Sequence, residues 1–126
     1  MILIHAVRLL AAAAAAGALA ACASGPIQGL LTQRGQQPEP VTLNYESSLF
    51  GRTGKLWTTL PGGERFAGKY VLMPYAADHH IVSTLDGDRG GSMVCRFKLN
   101  EPGVGPDKGG TAQCQLSTGG IIDARF

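Results

Sequence analysis

The chain beyond residue 40 predicts an all-β fold, a small antiparallel meander of six to eight short strands forming a barrel, a half-barrel or a sandwich. Three observations in the 126-residue sequence lead there. Apolar and polar residues alternate with period two in successive short runs, as strands with one buried face require. Turn-forming clusters separate the runs, and 14 of the 18 glycines lie beyond residue 50. No segment in that region sustains the 3.6-residue repeat of an amphipathic helix.

The elements follow in order. Val41, Leu43 and Tyr45 alternate with Thr42, Asn44 and Glu46, and Leu49-Phe50-Gly51 continues or bends this first strand. Gly54 opens a second through Leu60, closed by the turn Pro61-Gly62-Gly63-Glu64. Arg65 to Leu72 returns as a third, with Phe66, Gly68, Tyr70 and Leu72 on one face. Gly68 leaves a gap there that Trp57 is expected to cover. Met73 to Asp78 is a loop, because proline cannot sit in a central ladder. His79 to Leu85 forms a fourth strand and Asp86 to Gly91 turns the chain. Ser92 to Asn100 is the clearest strand, with Met93, Cys95, Phe97 and Leu99 on one face. A Gly/Pro-rich loop to Gly110 leads to Ala112, Cys114 and Leu116. Ser117 to Gly120 then turns into Ile122, Ala124 and Phe126.

Register can be read for one hairpin. Setting Leu99 opposite Gly110 places Phe97 opposite Ala112, Cys95 opposite Cys114 and Met93 opposite Leu116. The same register that aligns both apolar faces therefore brings the cysteines directly across, at a Cβ spacing close to what a disulfide needs.

Residues 1–40 have a different composition. Met1 to Ala21 carries Arg8 in a short first part, then an apolar run through an alanine tract, then small residues. That is the layout of a cleaved secretory signal, and its dozen apolar residues fall short of the roughly 20 needed to span a bilayer. Leu19-Ala20-Ala21-Cys22 resembles a bacterial lipobox: an aliphatic residue, two small ones and a cysteine. The resemblance covers the first 22 residues. It implies diacylglycerol on the Cys22 sulfur, cleavage before Cys22 by the lipoprotein signal peptidase, and acylation, for example by palmitate, of the new amine. Two or three acyl chains anchor stably where one holds marginally. Ala23 after the cysteine implies sorting to the outer membrane, on its periplasmic face. Residues 22–40, with three prolines, three glycines and four glutamines from Ala23 on, are expected to be a flexible tether, and 41–126 the β domain.

The anchor bears on the other cysteines. Lipid on Cys22 reduces an odd count of three to an even two, and export leads to an oxidising compartment. A Cys95–Cys114 disulfide is therefore expected. In the mature part, Gly87 to Phe126, with its Asp-Arg-Gly turn, Met-x-Cys-x-Phe strand and second cysteine, resembles the C-terminal region of a group of small proteobacterial lipoproteins. That likeness implies no activity. Lipidated β-barrels that inhibit lysozyme are similar in size, lipid and disulfide, but their Ser-Gly-x-x-Tyr loop does not occur here.

Candidate chemistry is sparse. Asp78-His79-His80 suggests metal, but neighbouring strand residues face opposite ways, so exposed polar residues are expected. Asp86-Gly87-Asp88-Arg89-Gly90 lacks the later oxygen ligands of a calcium loop. The glycines at 103, 105, 109 and 110 precede no helix and no Gly-Lys-Ser/Thr, so no phosphate cradle is expected. Cys95 or Cys114 as a nucleophile needs a base, and only His79 and His80 follow the leader. Arg89 and Lys108 lie in loops that can form a binding rim. A formal charge of +2, about +1 without Arg8, supplies no footprint for nucleic acid. The expectation is a non-enzymatic envelope lipoprotein without metal or cofactor, membrane-anchored, that binds an envelope protein partner or serves a structural role. The alternative is a periplasmic ligand-binding or inhibitor module using a pocket or loop of the β domain, with the Asn100–Gly110 loop preferred. A hydrolase or thiol enzyme comes last.

Overall fold

A computed structural model of the chain describes residues 24–49 and 51–126. Eight strands follow one another: β1 (Ser24–Thr32), β2 (Glu39–Ser47), β3 (Thr53–Thr59), β4 (Arg65–Val71), β5 (Ile81–Gly87), β6 (Ser92–Leu99), β7 (Gly110–Leu116) and β8 (Ile121–Arg125). Each pairs antiparallel with the next, and β8 returns to β1 through Gly29↔Ala124 to Thr32↔Ile121. The sheet is a closed up-and-down barrel, which leaves no unpaired edge to aggregate. Of the three expected architectures, the barrel is the one formed.

Period-two alternation fills the lumen. Ile27, Leu43, Tyr70, Ile81, Leu85, Met93, Phe97 and Ile122 are among its fully buried residues. The wall outside carries exposed Gln28, Lys55, Lys69, Lys98, Gln113 and Asp123. This polarity is the reverse of a transmembrane barrel, whose apolar face points outward. The β6–β7 register is the expected one, from Met93↔Leu116 through Cys95↔Cys114 to Leu99↔Gly110. A disulfide joins Cys95 and Cys114, whose Cα atoms are 4.0 Å apart.

Three expectations are corrected. The fold includes residues well before Val41: nine residues of the stretch expected as tether, Ser24–Thr32, are β1, paired with β2 from Ser24↔Glu46 to Leu31↔Glu39. Its glycines are strand positions where neighbours come close. A Cβ on Gly29 would lie 2.9 Å from the Asp123 carbonyl oxygen, and one on Gly25 would lie 3.3 Å from the Tyr45 ring. Pro26 sits where β1 has run past the end of its pairing with β8, an edge position that tolerates proline. Trp57 does not cover Gly68. Gly68 pairs with Leu56, and Trp57 points to the outer wall. What occupies the Gly68 gap is the β5 backbone: a Cβ there would collide with the Thr84 carbonyl oxygen. Finally, β5 starts at Ile81, and His80 just before it is buried rather than exposed.

Candidate functional site

The meander places four turns at one end of the barrel, which we call the turn end: 33–38, 60–64, 88–91 and 117–120. The opposite loop end carries the segments 48–52, 72–80 and 100–109, together with Ser24 and Phe126.

The turn end opens into a cavity of about 540 Å³. Leu31, Leu60, Phe66 and Leu116 form its apolar floor, each the last inward-facing residue of its row. Gln33, Gln36, Ser117 and Thr118 supply amide and hydroxyl groups around it. Side chains clip the rim together. Glu64 Oε2 accepts from the backbone N–H of Arg89 at 3.0 Å and of Gly91 at 2.9 Å. Arg89 Nη1 donates to the Gly62 carbonyl at 2.9 Å, and the Asp88 carboxylate accepts from Arg65 N–H at 2.9 Å. Ser117 Oγ accepts from Ser92 N–H at 3.1 Å, tying in the β7–β8 turn. Of the Asp86–Gly90 segment, Asp86 and Gly87 end β5 and only the rest is turn, where the Asp88 carboxylate serves the neighbouring hairpin. Arg89 lines the turn-end cavity, whereas Lys108 lies at the other end of the barrel, so the two do not share one rim. Glu64 was invisible as a rim residue in the sequence, since its partners lie 25 and 27 residues away.

At the loop end, the segment from Asn100 to Gly110 folds back on the barrel instead of forming an open rim. Gly105 and Pro106 are buried, and Gly110 exchanges backbone hydrogen bonds with Phe126. Asp107 accepts the Tyr45 hydroxyl at 2.7 Å, and beside it Ser47 and Tyr70 share a hydrogen bond of 3.1 Å. Burial raises the Tyr45 phenol pKa, and the hydrogen bond and charge of Asp107 raise it further. Burial also raises that of Tyr70, against a lowering by the Ser47 hydrogen bond.

The remaining candidates resolve individually. His80 Nδ1 accepts the Leu99 backbone N–H at 2.8 Å, while His79 stays on the exposed wall. The two imidazoles do not converge, and among the described residues no group of three or more His, Cys, Asp or Glu is arranged to hold a metal. Both disulfide cysteines face inward and are buried in the core. Leu19, Ala20, Ala21 and Cys22 lie outside the described residues. No family model matches the chain, and neither a curated protein nor a solved structure matches it.

Proposed function

We propose that the chain is a non-enzymatic lipoprotein of the bacterial envelope, anchored by acyl chains at Cys22, that presents a disulfide-stapled barrel to a protein partner through the turn-end mouth. The observation that carries this reading is the placement of the two ends. β1 starts at Ser24, two residues after Cys22, and runs from the loop end to Leu31 on the cavity floor. At roughly 3.3 Å per residue along a strand tilted by about 40°, the mouth opens about 18 Å from the anchored end, directed away from the bilayer. An apolar floor inside a polar rim is the composition of a protein-binding centre. The clips through Glu64, Arg89 and Ser117 keep that rim ordered before a partner arrives.

Two measurements test this. Fatty-acid labelling of the full chain is expected, and labelling that persists in Cys22→Ser rejects the anchor. A photo-crosslinking residue at Thr118, on the rim, is expected to capture a discrete envelope polypeptide that the same residue at Gln113, on the wall, does not. Equal capture at both positions removes the mouth as the interface.

The cavity also favours a second reading, a small-molecule site, since its volume falls within the range of roughly 300–1,000 Å³ of such pockets. Native mass spectrometry of protein purified from its own cells separates the two. A co-purifying small molecule supports this reading, and a crosslinked polypeptide without one supports the first.

A further inference from the structure

We infer that the loop end of the barrel docks on the bilayer surface, seating the side chains of Leu49, Met73, Tyr75 and Val104 among the lipid headgroups. This rests on the anchor at Cys22 proposed above, and it adds an orientation and a second, non-covalent contact.

Two independent observations meet at this end. The first is distance. A fully extended chain covers at most about 3.6 Å per residue, so Cys22 lies within about 7 Å of Ser24. Ser24 is itself paired, opposite Glu46, so no slack remains between the acyl chains and the barrel. A wall placed that close to the glycerol backbone lies within the 5–10 Å depth over which amphipathic surfaces settle into a membrane interface.

The second is where the apolar side chains are exposed. Tyr75 is 99 % exposed and Leu49 70 %, and Met73 and Val104 also face solvent. They come from three different connections, 48–52, 72–80 and 100–109, that share only their position at the loop end. Val71, the last residue of β4, adds a fifth apolar group there. The turns of the other end carry no exposed large apolar residue, Ile121 at the start of β8 being the nearest. Single exposed apolar residues are ordinary on a protein surface, but a cluster on one rim beside a lipid attachment point has an apolar phase within reach. Tyrosine suits this position, since an amphipathic ring sits well at headgroup level.

Charge does not drive the contact. The loops of this end carry exposed Arg52 and Lys108 but also exposed Asp78, Glu101 and Asp107, so they have no excess of basic charge for anionic lipid. The contact is therefore expected to be insensitive to salt.

The test uses the full-length, lipidated protein in vesicles of phosphatidylethanolamine and phosphatidylglycerol, with part of the lipid brominated near the headgroup. Trp57 is the single tryptophan, so Trp57→Phe gives a silent background for Tyr75→Trp at the loop end and Arg34→Trp at the turn end. Both positions are exposed, and circular dichroism with a thiol count verifies the fold of each variant. Fatty-acid incorporation together with several-fold stronger bromine quenching of Tyr75→Trp than of Arg34→Trp, unchanged between low and high salt, is the expected result. Normal incorporation with equal quenching overturns the docking and leaves the anchor standing. Absence of incorporation overturns the anchor and the docking with it.

Discussion

At the scale of single residues, the buried polar side chains stand where strand ladders stop. The β2–β3 ladder ends at Asn44↔Trp57, and just beyond it the Thr58 hydroxyl donates to the Thr42 carbonyl at 2.7 Å. The β4–β5 ladder ends at Ala67↔Asp86, and beyond it Ser83 donates to the Lys69 carbonyl at 2.8 Å. The β5–β6 ladder ends at Ile81↔Phe97, and there the His80 ring accepts from Leu99 N–H. In each case a side chain continues what the backbone leaves undone, because a buried unpaired polar group is costly. His80→Ala is expected to cost about 1–3 kcal/mol by orphaning the Leu99 N–H, read as a lower urea midpoint at unchanged slope. Gly68→Ala is expected to cost at least as much, on the order of 1–3 kcal/mol, because the atom it meets is backbone that cannot rotate away.

The tyrosines add a pH dependence. Both phenol pKa values are raised by burial, Tyr45 further by Asp107. Groups whose folded pKa is raised bind protons more tightly when folded. Their contribution is therefore complete below the unfolded value of about 10 and is lost as pH rises through the folded values. Denaturation midpoints measured against pH are expected to decline above about pH 10, and less steeply in Tyr45→Phe.

Among the elements, β1 and the β6–β7 hairpin differ most in how they could be read. The hairpin was legible because its information is local. Two alternating runs flank one loop, and a single register satisfies both apolar faces and both cysteines. Replacing Cys95 and Cys114 by serine is expected to cost about 3 kcal/mol, the chain-entropy value for a loop of about 20 residues. β1 hid behind its composition. Ile27 and Leu31 do alternate, but with Gly25 and Gly29 as their same-face neighbours and Leu30 facing out, so the apolar pattern is mostly blank. The blanks are filled from other strands, by the Tyr45 ring and the β8 backbone, which no local pattern announces. Ile27→Ala is expected to cost about 2–5 kcal/mol, a core value, where a tether residue would cost nothing. Hydrogen exchange is expected to protect the amides of residues 27–31 as strongly as those of β6.

For the molecule as a whole, closure decides which residues become neighbours. An even number of antiparallel strands puts both β1's beginning and β8's end at the loop end, and leaves the four short turns at the other. Glu64 then meets the 88–91 turn of the neighbouring hairpin at the mouth. Glu64→Ala is expected to speed amide exchange in both 60–64 and 88–91 while leaving the β6–β7 hairpin unchanged.

The all-β class, the alternation of nearly every strand after residue 40 and the cysteine pairing are all written in the order of the residues. These follow from period-two burial and from contacts between segments adjacent in the chain. Only the tertiary structure decided that the sheet closes and that β1 belongs to it. It likewise decided that His80 and Glu64 serve distant backbone groups and that the open mouth and the exposed apolar loops occupy opposite ends. Each of these depends on pairing between segments far apart in the chain, and a glycine-rich strand that borrows its neighbours' side chains carries little trace of that pairing in its own residues.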